Sequence, residues 1–404
     1  MCYKFVSSRC RSWRRVKRFD LSARPWNFGA LVILALAKML EARARFGRFV
    51  FLMRLETFRT QLQPHLDAFV ADKTRSYSPL LHDAFLRELL DYPALLANAS
   101  GKRIRPYVAF LIFRSGCDDA EMQEKALRTL VSLELFHLFC LVHDDIIDKG
   151  TQRYGLPTIH AFAARHLREK NTKEAEHIAQ SHAILIGDLL FSWSHEALNG
   201  GDFSHRVLDC ARRVFTTMID EVVIGQMLDV DLMTKNETSR AVIERKIHLK
   251  TASYTFVRPM QIGAALSGVS CDVFCQELGL ALGMAFQVQD DLLDLVGTPR
   301  TTQKTLFADL RDGTHTLFTQ HIFESRIARD IDDLRALMGA DLTVADRHRV
   351  LDLFTRTGAL EVGRQIVHDN LCVAKTLLDN GTLRDQERDG FLHLISILEA
   401  RDKK

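Results

Sequence analysis

Two clusters of three aspartates share the spacing DDxxD, and each stands at the end of a long apolar stretch. They occupy residues 144–148 (DDIID) and 290–294 (DDLLD). On a helix, residues i and i+4 lie on one face, so the first and last Asp of each cluster are neighbours. Three carboxylates this close repel one another unless a cation lies between them, and all-oxygen ligands suit Mg²⁺. The candidate magnesium ligands are Asp144, Asp145, Asp148, Asp290, Asp291 and Asp294.

The flanks of both clusters argue against two acidic helix ends that only face water. The residues around them, LFHLFCLV and ALGMAFQV, are apolar, which is unusual on a solvated helix face. Two such helices that face each other would enclose a negatively charged cavity lined with metal ligands. Magnesium usually binds substrate phosphates as well as protein carboxylates, so we predict a diphosphate ligand.

Basic residues suited to an anionic ligand occur at several points. Lys102 and Arg105 lie in the run GKRIRP, whose proline suits the first turn of a helix, and a helix start with basic side chains is a good anion site. Arg153, Lys250 and Lys304 are further candidates, although a single basic residue is more often a surface residue.

Three polar residues near these motifs are also candidates. His137 precedes Asp144 by seven residues, close to two helical turns, so it shares the aspartate face. A lone histidine on an apolar helix is otherwise usually a hydrogen-bonded core residue. Thr251 follows Lys250 directly, and Gln287 lies shortly before the second cluster.

The helical period of the apolar residues predicts the fold class. From about residue 53 to residue 401 they recur at i, i+3, i+4 and i+7. The clearest series is Leu127, Leu130, Leu133, Leu135 and Leu138. Strand-like alternation is absent, and Pro259 falls inside a helical stretch that it should kink. We expect one all-α domain over residues 53–404.

Charge is distributed unevenly along the chain. The 404 residues have a net charge of +3, but residues 1–53 hold twelve Lys or Arg and two acids, a net of +10, which leaves −7 for the remainder. A mildly acidic body of this kind argues against nucleic-acid binding. Residues 1–52 are treated as a basic, partly apolar extension that is poorly ordered or not translated, with weak membrane contact as the alternative.

The cysteines indicate the cellular compartment. Eight are scattered along the chain, and the CxxxC pair Cys271 and Cys275 has no second pair that would complete a zinc site. Reduced thiols of this kind are typical of a cytoplasmic protein.

Taken in order, these motifs resemble those of the trans-isoprenyl diphosphate synthases, the polyprenyl synthetase family. The matching runs are GKRIRP, LVHDDIID, RYGLPT, GD at 187–188, GQMLD, KT at 250–251 and FQVQDDLLD. The resemblance implies the isoprenoid synthase type I fold, with about ten core helices around a central cavity, and usually a homodimer. It also implies a Mg²⁺-dependent prenyltransferase that joins isopentenyl diphosphate head to tail to an allylic diphosphate.

The resemblance further implies a role for each candidate residue. Most contacts to the magnesium ions on the allylic diphosphate would come from Asp144, Asp148 and Asp290, with support from Asp145, Asp291 and Asp294. The cations that hold this diphosphate would be Arg153, Lys250 and Lys304. The site for isopentenyl diphosphate would consist of Lys102, Arg105 and His137. The reacting centre would be lined by Thr251 and Gln287.

The chain departs from the family pattern at two positions. The family usually has two arginines before the glycine of RYGLPT, and here the second is Tyr154. A lysine is also expected in the stretch DGTHTLF, where Thr314 stands instead. The first departure affects the isopentenyl diphosphate half of the site, and the second weakens the hold on the allylic diphosphate.

The residues before the first cluster bear on product length. Phe139 stands five positions before Asp144, Cys140 four and Phe136 eight. In the family, an aromatic at the fifth position alone indicates a C20 product, and aromatics at the fourth and fifth indicate C15, so we predict C20 first and C15 second. An ideal helix places Phe139 nearly opposite the aspartates, so an ordinary core role stays open.

Three other functions are compatible with parts of the pattern. A terpene cyclase shares the chemistry, but the second DDxxD cluster argues against it. A helical His-Asp metal phosphohydrolase is suggested by His143-Asp144, with His82-Asp83 as an isolated second pair. A non-catalytic or partner-dependent subunit of a heteromeric prenyl synthase is the third.

Overall fold

The computed structural model describes residues 54–99, 101–297, 307–381 and 383–400. The predicted extension (residues 1–52) and Lys304 lie outside them. The helices are α1 Leu55–Tyr77, α2 Ala84–Asn98, α3 Ile104–Gly116, α4 Ala120–Ile147, α5 Ile159–Glu169, α6 Ala175–Asn199, α7 His205–Leu232, α8 Arg240–Lys246, α9 Arg258–Ser267, α10 Asp272–Val296, α11 Ala308–Arg311, α12 Leu317–Ser325, α13 Ala328–Leu337, α14 Arg347–Arg356, α15 Ala359–Asn380 and α16 Asp385–Glu399. A π-helical segment, Ile247–Val257, joins α8 to α9, and short 3₁₀ turns span Ser78–Leu80 and Val344–Asp346. The predicted all-α fold is confirmed.

Helix α4 is largely buried and presents the first aspartate cluster at its C-terminal end. The Asp119 side chain caps its start by accepting the Met122 N–H at 2.9 Å. The five leucines of the predicted series are all buried. The helix is covered on several sides, chiefly by α6 and α3, and the first aspartate cluster lies at its C-terminal end.

Helix α10 carries the second cluster and packs against the π-helical segment and α15. Two glycines make this contact close. A Cβ on Gly279 would lie 2.8 Å from the Val257 backbone nitrogen, and one on Gly283 would lie 2.3 Å from Ala252 Cα. Glycine at these positions lets the two backbones approach, so the residues of the π-helical segment lie beside the second cluster.

Pro259 lies in the first turn of α9, directly after the π-helical segment. The Arg258 N–H donates to Ser253 O, five residues back, as in a π-helix. Proline tolerates this place because its missing N–H is not needed in a first turn. The irregular part of this helical stretch is the π-helical segment before Pro259, which contains Lys250 and Thr251.

One strand pair departs from the sequence prediction, which had none. Strands β1 (Gln152–Arg153) and β2 (Leu156–Pro157) pair antiparallel. The two residues between them, Tyr154 and Gly155, have φ of 54° and 77°, as tight two-residue hairpins require. The ribbon is too short to show alternation in the sequence.

The run GKRIRP is anchored by a buried ion pair. Arg103 Nη1 lies 2.6 Å from Glu134 Oε1 of α4, and both side chains are almost fully buried. Arg103 also donates to Ala97 O. This arginine therefore holds the start of α3 against α4, while its neighbours Lys102 and Arg105 are left exposed and half-buried, respectively.

Every helix in the described ranges is too short or too polar to cross a lipid bilayer.

Candidate active site

A cavity of about 120 Å³ lies where the ends of α4 and α10 meet the π-helical segment and the loop before α12. One carboxylate from each aspartate cluster lines it, Asp148 after α4 and Asp291 in α10. Three more lining residues were predicted from the sequence: Lys250, Thr251 and Gln287. Further polar residues of the lining are Asp229, Lys246, Asp309, Asp312, Thr314 and Thr316.

The three aspartates of the first cluster have different surroundings. Burial and the nearby charge of Asp144 raise the pKa of Asp148 to about 7. Asp144 Oδ1 lies 3.5 Å from the Lys250 ammonium. Asp145 is buried and accepts a 2.9 Å hydrogen bond from Arg153 Nε. Asp145 and Arg153 thus face each other, and neither is part of the described cavity lining.

The three aspartates of the second cluster also have different surroundings. Burial and the charge of Asp309 raise the pKa of Asp291 well above its usual value. Asp294 accepts the backbone N–H groups of Ala308 and Asp309 at 3.1 and 3.2 Å, so it caps the start of α11. Asp290 is half-buried. Only Asp291 of this cluster lines the cavity.

Two lysines share one carboxylate at the wall of the cavity. Lys250 Nζ lies 2.6 Å from Asp229 Oδ2, and Lys246 Nζ lies 2.9 Å from Asp229 Oδ1. Burial alone would lower the pKa of Lys250, but the charges of Asp144 and Asp229 outweigh it and raise the pKa. The pKa of Asp229 is lowered because the two lysines outweigh the effect of its burial. Lys250 therefore carries its charge at neutral pH.

A hydrogen-bonded chain links the π-helical segment to the second cluster. The Thr251 hydroxyl donates to Gln287 Oε1 at 2.5 Å, and Gln287 Nε2 donates to Asp291 Oδ1 at 2.7 Å. The amide of Gln287 is thereby held in one orientation between the other two side chains. A fixed amide orientation suits a site that positions a reacting group.

A second polar group surrounds Tyr254 of the π-helical segment. The Arg105 guanidinium lies 4.0 Å above its ring, and His137 Nδ1 lies 2.9 Å from its hydroxyl. Burial and the positive charge of Arg105 lower the pKa of His137 well below its usual value, so His137 is neutral at pH 7. Burial and the charge of Glu134 raise the pKa of Tyr154, which is partly buried at the hairpin turn.

The carboxylates of the cavity fit a hard divalent cation. Burial and the charge of a neighbouring aspartate, Asp144 for Asp148 and Asp309 for Asp291, raise the pKa of both carboxyls, so each favours a bound proton or a cation. In the part of the chain that the structure describes, three or more His, Cys, Asp or Glu side chains do not converge on one metal position. Magnesium commonly binds one or two carboxylates together with substrate phosphates, which suits this arrangement.

The three residues singled out for product length have different neighbours. Phe139 packs against His143 and Phe191, with ring centroids 4.6 and 5.1 Å apart. Phe136 is fully buried beside Tyr254. Cys140 lies near Tyr254, and burial raises the pKa of its thiol to about 12. Phe139 thus contacts α6, and its ring also lies 5.4 Å from that of Phe136.

The two His-Asp pairs of the phosphohydrolase alternative do not meet. His143 Nε2 lies 3.8 Å from Asp188 of α6. His82 is exposed, and Asp83 caps α2 by accepting the Phe85 N–H at 2.8 Å. The second pair is therefore explained by the role of Asp83 as the N-cap of α2.

Sequence reasoning assigned no role to four charged residues of the cavity wall: Asp229, Lys246, Asp309 and Asp312. A signal was present for the first two. Asp229 ends the run GQMLD, and Lys246 precedes Lys250 by four residues, the spacing of neighbours on one helix face.

Comparisons with known proteins point to one family. The family model for polyprenyl synthetase matches residues 84–352. The chain is 29% identical over 319 residues to a geranylgeranyl diphosphate synthase of Methanosarcina mazei, covering 78% of this chain and 90% of that protein. It is 30% identical over 302 residues to heptaprenyl diphosphate synthase component 2 of Geobacillus stearothermophilus, covering 72% and 85%.

A solved structure is similar over nearly its whole length. The crystal structure of geranylgeranyl pyrophosphate synthase from Corynebacterium glutamicum, complexed with isoprenyl diphosphate and magnesium, matches with a TM-score of 0.77 and 27% identity. The match covers 87% of this chain and 99% of that one.

Proposed function

The chain belongs to the polyprenyl synthetase family, and from this premise we propose that it is a Mg²⁺-dependent prenyltransferase that condenses isopentenyl diphosphate head to tail with an allylic diphosphate. The product is a short-chain all-trans prenyl diphosphate. The observation that carries the proposal is the cavity in which Asp148 and Asp291 meet Lys250, Thr251 and Gln287. Carboxylates for a metal and a cation for a diphosphate are there combined in one enclosed space.

The charged residues of the cavity suit the first step, departure of the allylic diphosphate. Magnesium, held by carboxylates of both clusters, would supply electrostatic stabilisation of the leaving diphosphate. The cation Lys250 is fixed by Asp144 and Asp229, so it needs little reorganisation when charge develops. Arg153 and Lys304 are the further cations proposed for this diphosphate.

The group around Tyr254 is proposed as the isopentenyl diphosphate site. Arg105, Lys102 and His137 would bind this diphosphate, with His137 acting as a neutral hydrogen-bonding group. Thr251 and Gln287, which are hydrogen-bonded to each other, would orient the allylic carbon. The double bond of isopentenyl diphosphate then attacks the carbocation, and the released diphosphate takes the proton.

We propose a C20 product, with C15 as the alternative. The support is Phe139, an aromatic five positions before Asp144, together with Cys140, a small residue at the fourth. Similarity to a geranylgeranyl diphosphate synthase supports the same length.

A homodimer is proposed on the basis of an apolar surface made of exposed residues on the contacting helices α6 and α7. Leu185 and Met227 are 59% and 66% exposed, and Ile184, Val223 and Ile224 are exposed as well. Surfaces of this kind mark protein contacts. We also propose a cytoplasmic location, since the cysteines of the described residues are free thiols. Weak membrane contact through residues 1–52 stays a proposal.

A partner-dependent subunit is the second candidate. It is favoured by the absence of a cation at Tyr154 and Thr314 and by the similarity to a protein named component 2 of a heptaprenyl synthase. It predicts that the same apolar surface binds a different chain.

The test is elongation of labelled isopentenyl diphosphate with Mg²⁺ and a geranyl or farnesyl primer, followed by product analysis. Elongation by the purified protein, lost on chelation by EDTA, supports the synthase. Activity that returns only after mixing with a second subunit supports the partner-dependent alternative. Release of phosphate from nucleotides without elongation would refute both.

A further inference from the structure

Thr314 leaves the cavity without a positive charge that the motif pattern leads one to expect there. Its side chain is buried and lines the cavity near Asp291 and Thr316. A threonine hydroxyl forms hydrogen bonds, but it cannot balance the charge of a diphosphate. Either this part of the site is weaker than usual, or another residue supplies the cation.

Lys246 brings an ammonium group to the same place from a different element. It is the last residue of α8, its side chain is buried, and it lines the cavity together with Thr314. Its Nζ donates to His315 O at 3.1 Å, the carbonyl of the residue next to Thr314. The charge of Lys246 therefore lies beside the backbone where a lysine at 314 would begin.

Charge balance indicates that Lys246 does more than neutralise Asp229. Lys250 already forms a 2.6 Å ion pair with that carboxylate. Burying a second ammonium beside the same carboxylate has a desolvation cost that can exceed the Coulombic gain. An ammonium has three donors, and among the residues that the structure describes Lys246 uses two of them, for Asp229 and for His315 O. One N–H is therefore left for a ligand in the cavity.

We propose that Lys246 binds the diphosphate of the allylic substrate and supplies the positive charge that Thr314 lacks. This inference rests on the proposed function. It places the cation on α8 rather than on the loop before α12, four residues before Lys250, so that two lysines of one helical run hold the same diphosphate.

The test is a double-mutant cycle of Lys246→Met and Thr314→Lys, with Lys375→Met as a control on a partly exposed lysine that pairs with Glu399. Binding of inorganic pyrophosphate in the presence of Mg²⁺ is measured by calorimetry, and KM is measured for each substrate. Lys246→Met should raise Kd for pyrophosphate and KM for the allylic substrate about tenfold, the loss of one charge-assisted hydrogen bond. The KM for isopentenyl diphosphate should be unchanged.

The second substitution distinguishes a binding role from a structural one. Adding Thr314→Lys to Lys246→Met should return Kd to within about threefold of the wild type, whereas Thr314→Lys alone should change it less than about twofold. A lack of rescue would overturn the proposal. So would tenfold tighter binding from Thr314→Lys alone, an outcome that can be read even if Lys246→Met fails to fold. Failure of the proposed function is distinguishable, since wild-type protein would then bind pyrophosphate without elongating any primer.

Discussion

Asp148, which follows α4, and Asp291, in α10, line one cavity from two helices that are far apart in the chain. Each has its pKa raised, in the first place by burial. Two acids that share a poorly solvated space make the folded state sensitive to pH and to cations. The metal-free protein therefore carries a stability cost that a bound cation would relieve.

This cost predicts how the melting temperature depends on pH. The pKa of Asp148 is about 7 in the folded protein and 3.8 in its ordinary state, so between these values the folded protein keeps a proton that the unfolded chain releases. The free energy of unfolding of metal-free protein should then fall as pH rises from about 4 to about 7. Mg²⁺ with pyrophosphate should restore the melting temperature at pH 8, because it binds the ionised carboxylates.

The variant Asp148→Asn tests whether the Asp148 carboxyl causes this pH dependence. It should make the pH dependence shallower and raise the metal-free melting temperature at pH 8, while elongation is lost. Asp231→Asn, on the exposed end of α7, serves as the control and should leave the pH profile unchanged. An equally steep profile in Asp148→Asn would show that this carboxyl is not the group that titrates.

The hydrogen bond from Thr251 to Gln287 predicts a selective loss of turnover. Thr251→Val keeps the shape of the side chain but removes the donor to Gln287 Oε1, so the amide that also binds Asp291 loses its orientation. We expect kcat to fall about tenfold, the effect of one well-formed hydrogen bond, with a small change in the KM values. Steady-state kinetics with saturating primer would measure it.

The control is Thr217→Val, an exposed threonine on α7 whose hydroxyl bonds only to the preceding turn. It should leave kcat unchanged. If Thr251→Val instead raised KM for one substrate at constant kcat, Thr251 would have a role in binding rather than in orientation.

Local patterns in the sequence were sufficient to predict the helices that present the two clusters. The leucine series of α4 follows a period that depends only on the backbone, and its members are buried as that period requires. The acids after apolar stretches could be expected to lie at buried helix ends for the same reason. Both facts depend on residues close together in the chain.

Tertiary contacts determine what the sequence could not predict. The partner of Asp145 is Arg153, which reaches it only because Tyr154 and Gly155 form a tight hairpin. The shared position of Asp229 between Lys246 and Lys250 depends on the packing of α7 against the π-helical segment. Spacing alone did not distinguish Arg103, a buried structural arginine, from its neighbour Arg105.

The buried ion pair of Arg103 and Glu134 predicts a large effect on stability. Arg103→Met would leave a buried carboxylate without its partner, which typically costs about 3–5 kcal/mol. The matched surface pair is Arg165 with Glu169, both exposed, where Arg165→Met should cost about 1 kcal/mol or less. Urea unfolding followed by circular dichroism measures both, and similar values for the two variants would contradict the assigned role.

Product length provides the last prediction. Phe139 packs between His143 and Phe191, and its removal opens space between α4 and α6. If this space continues the path of the growing chain, Phe139→Ala should give products longer than C20. Phe274→Ala, at the far end of α10 beside Gly381, is the matched control and should leave the product unchanged. Chromatography of the dephosphorylated products with a farnesyl primer would decide: an unaltered distribution in Phe139→Ala would mean that Phe139 is an ordinary packing residue and that the product is limited elsewhere.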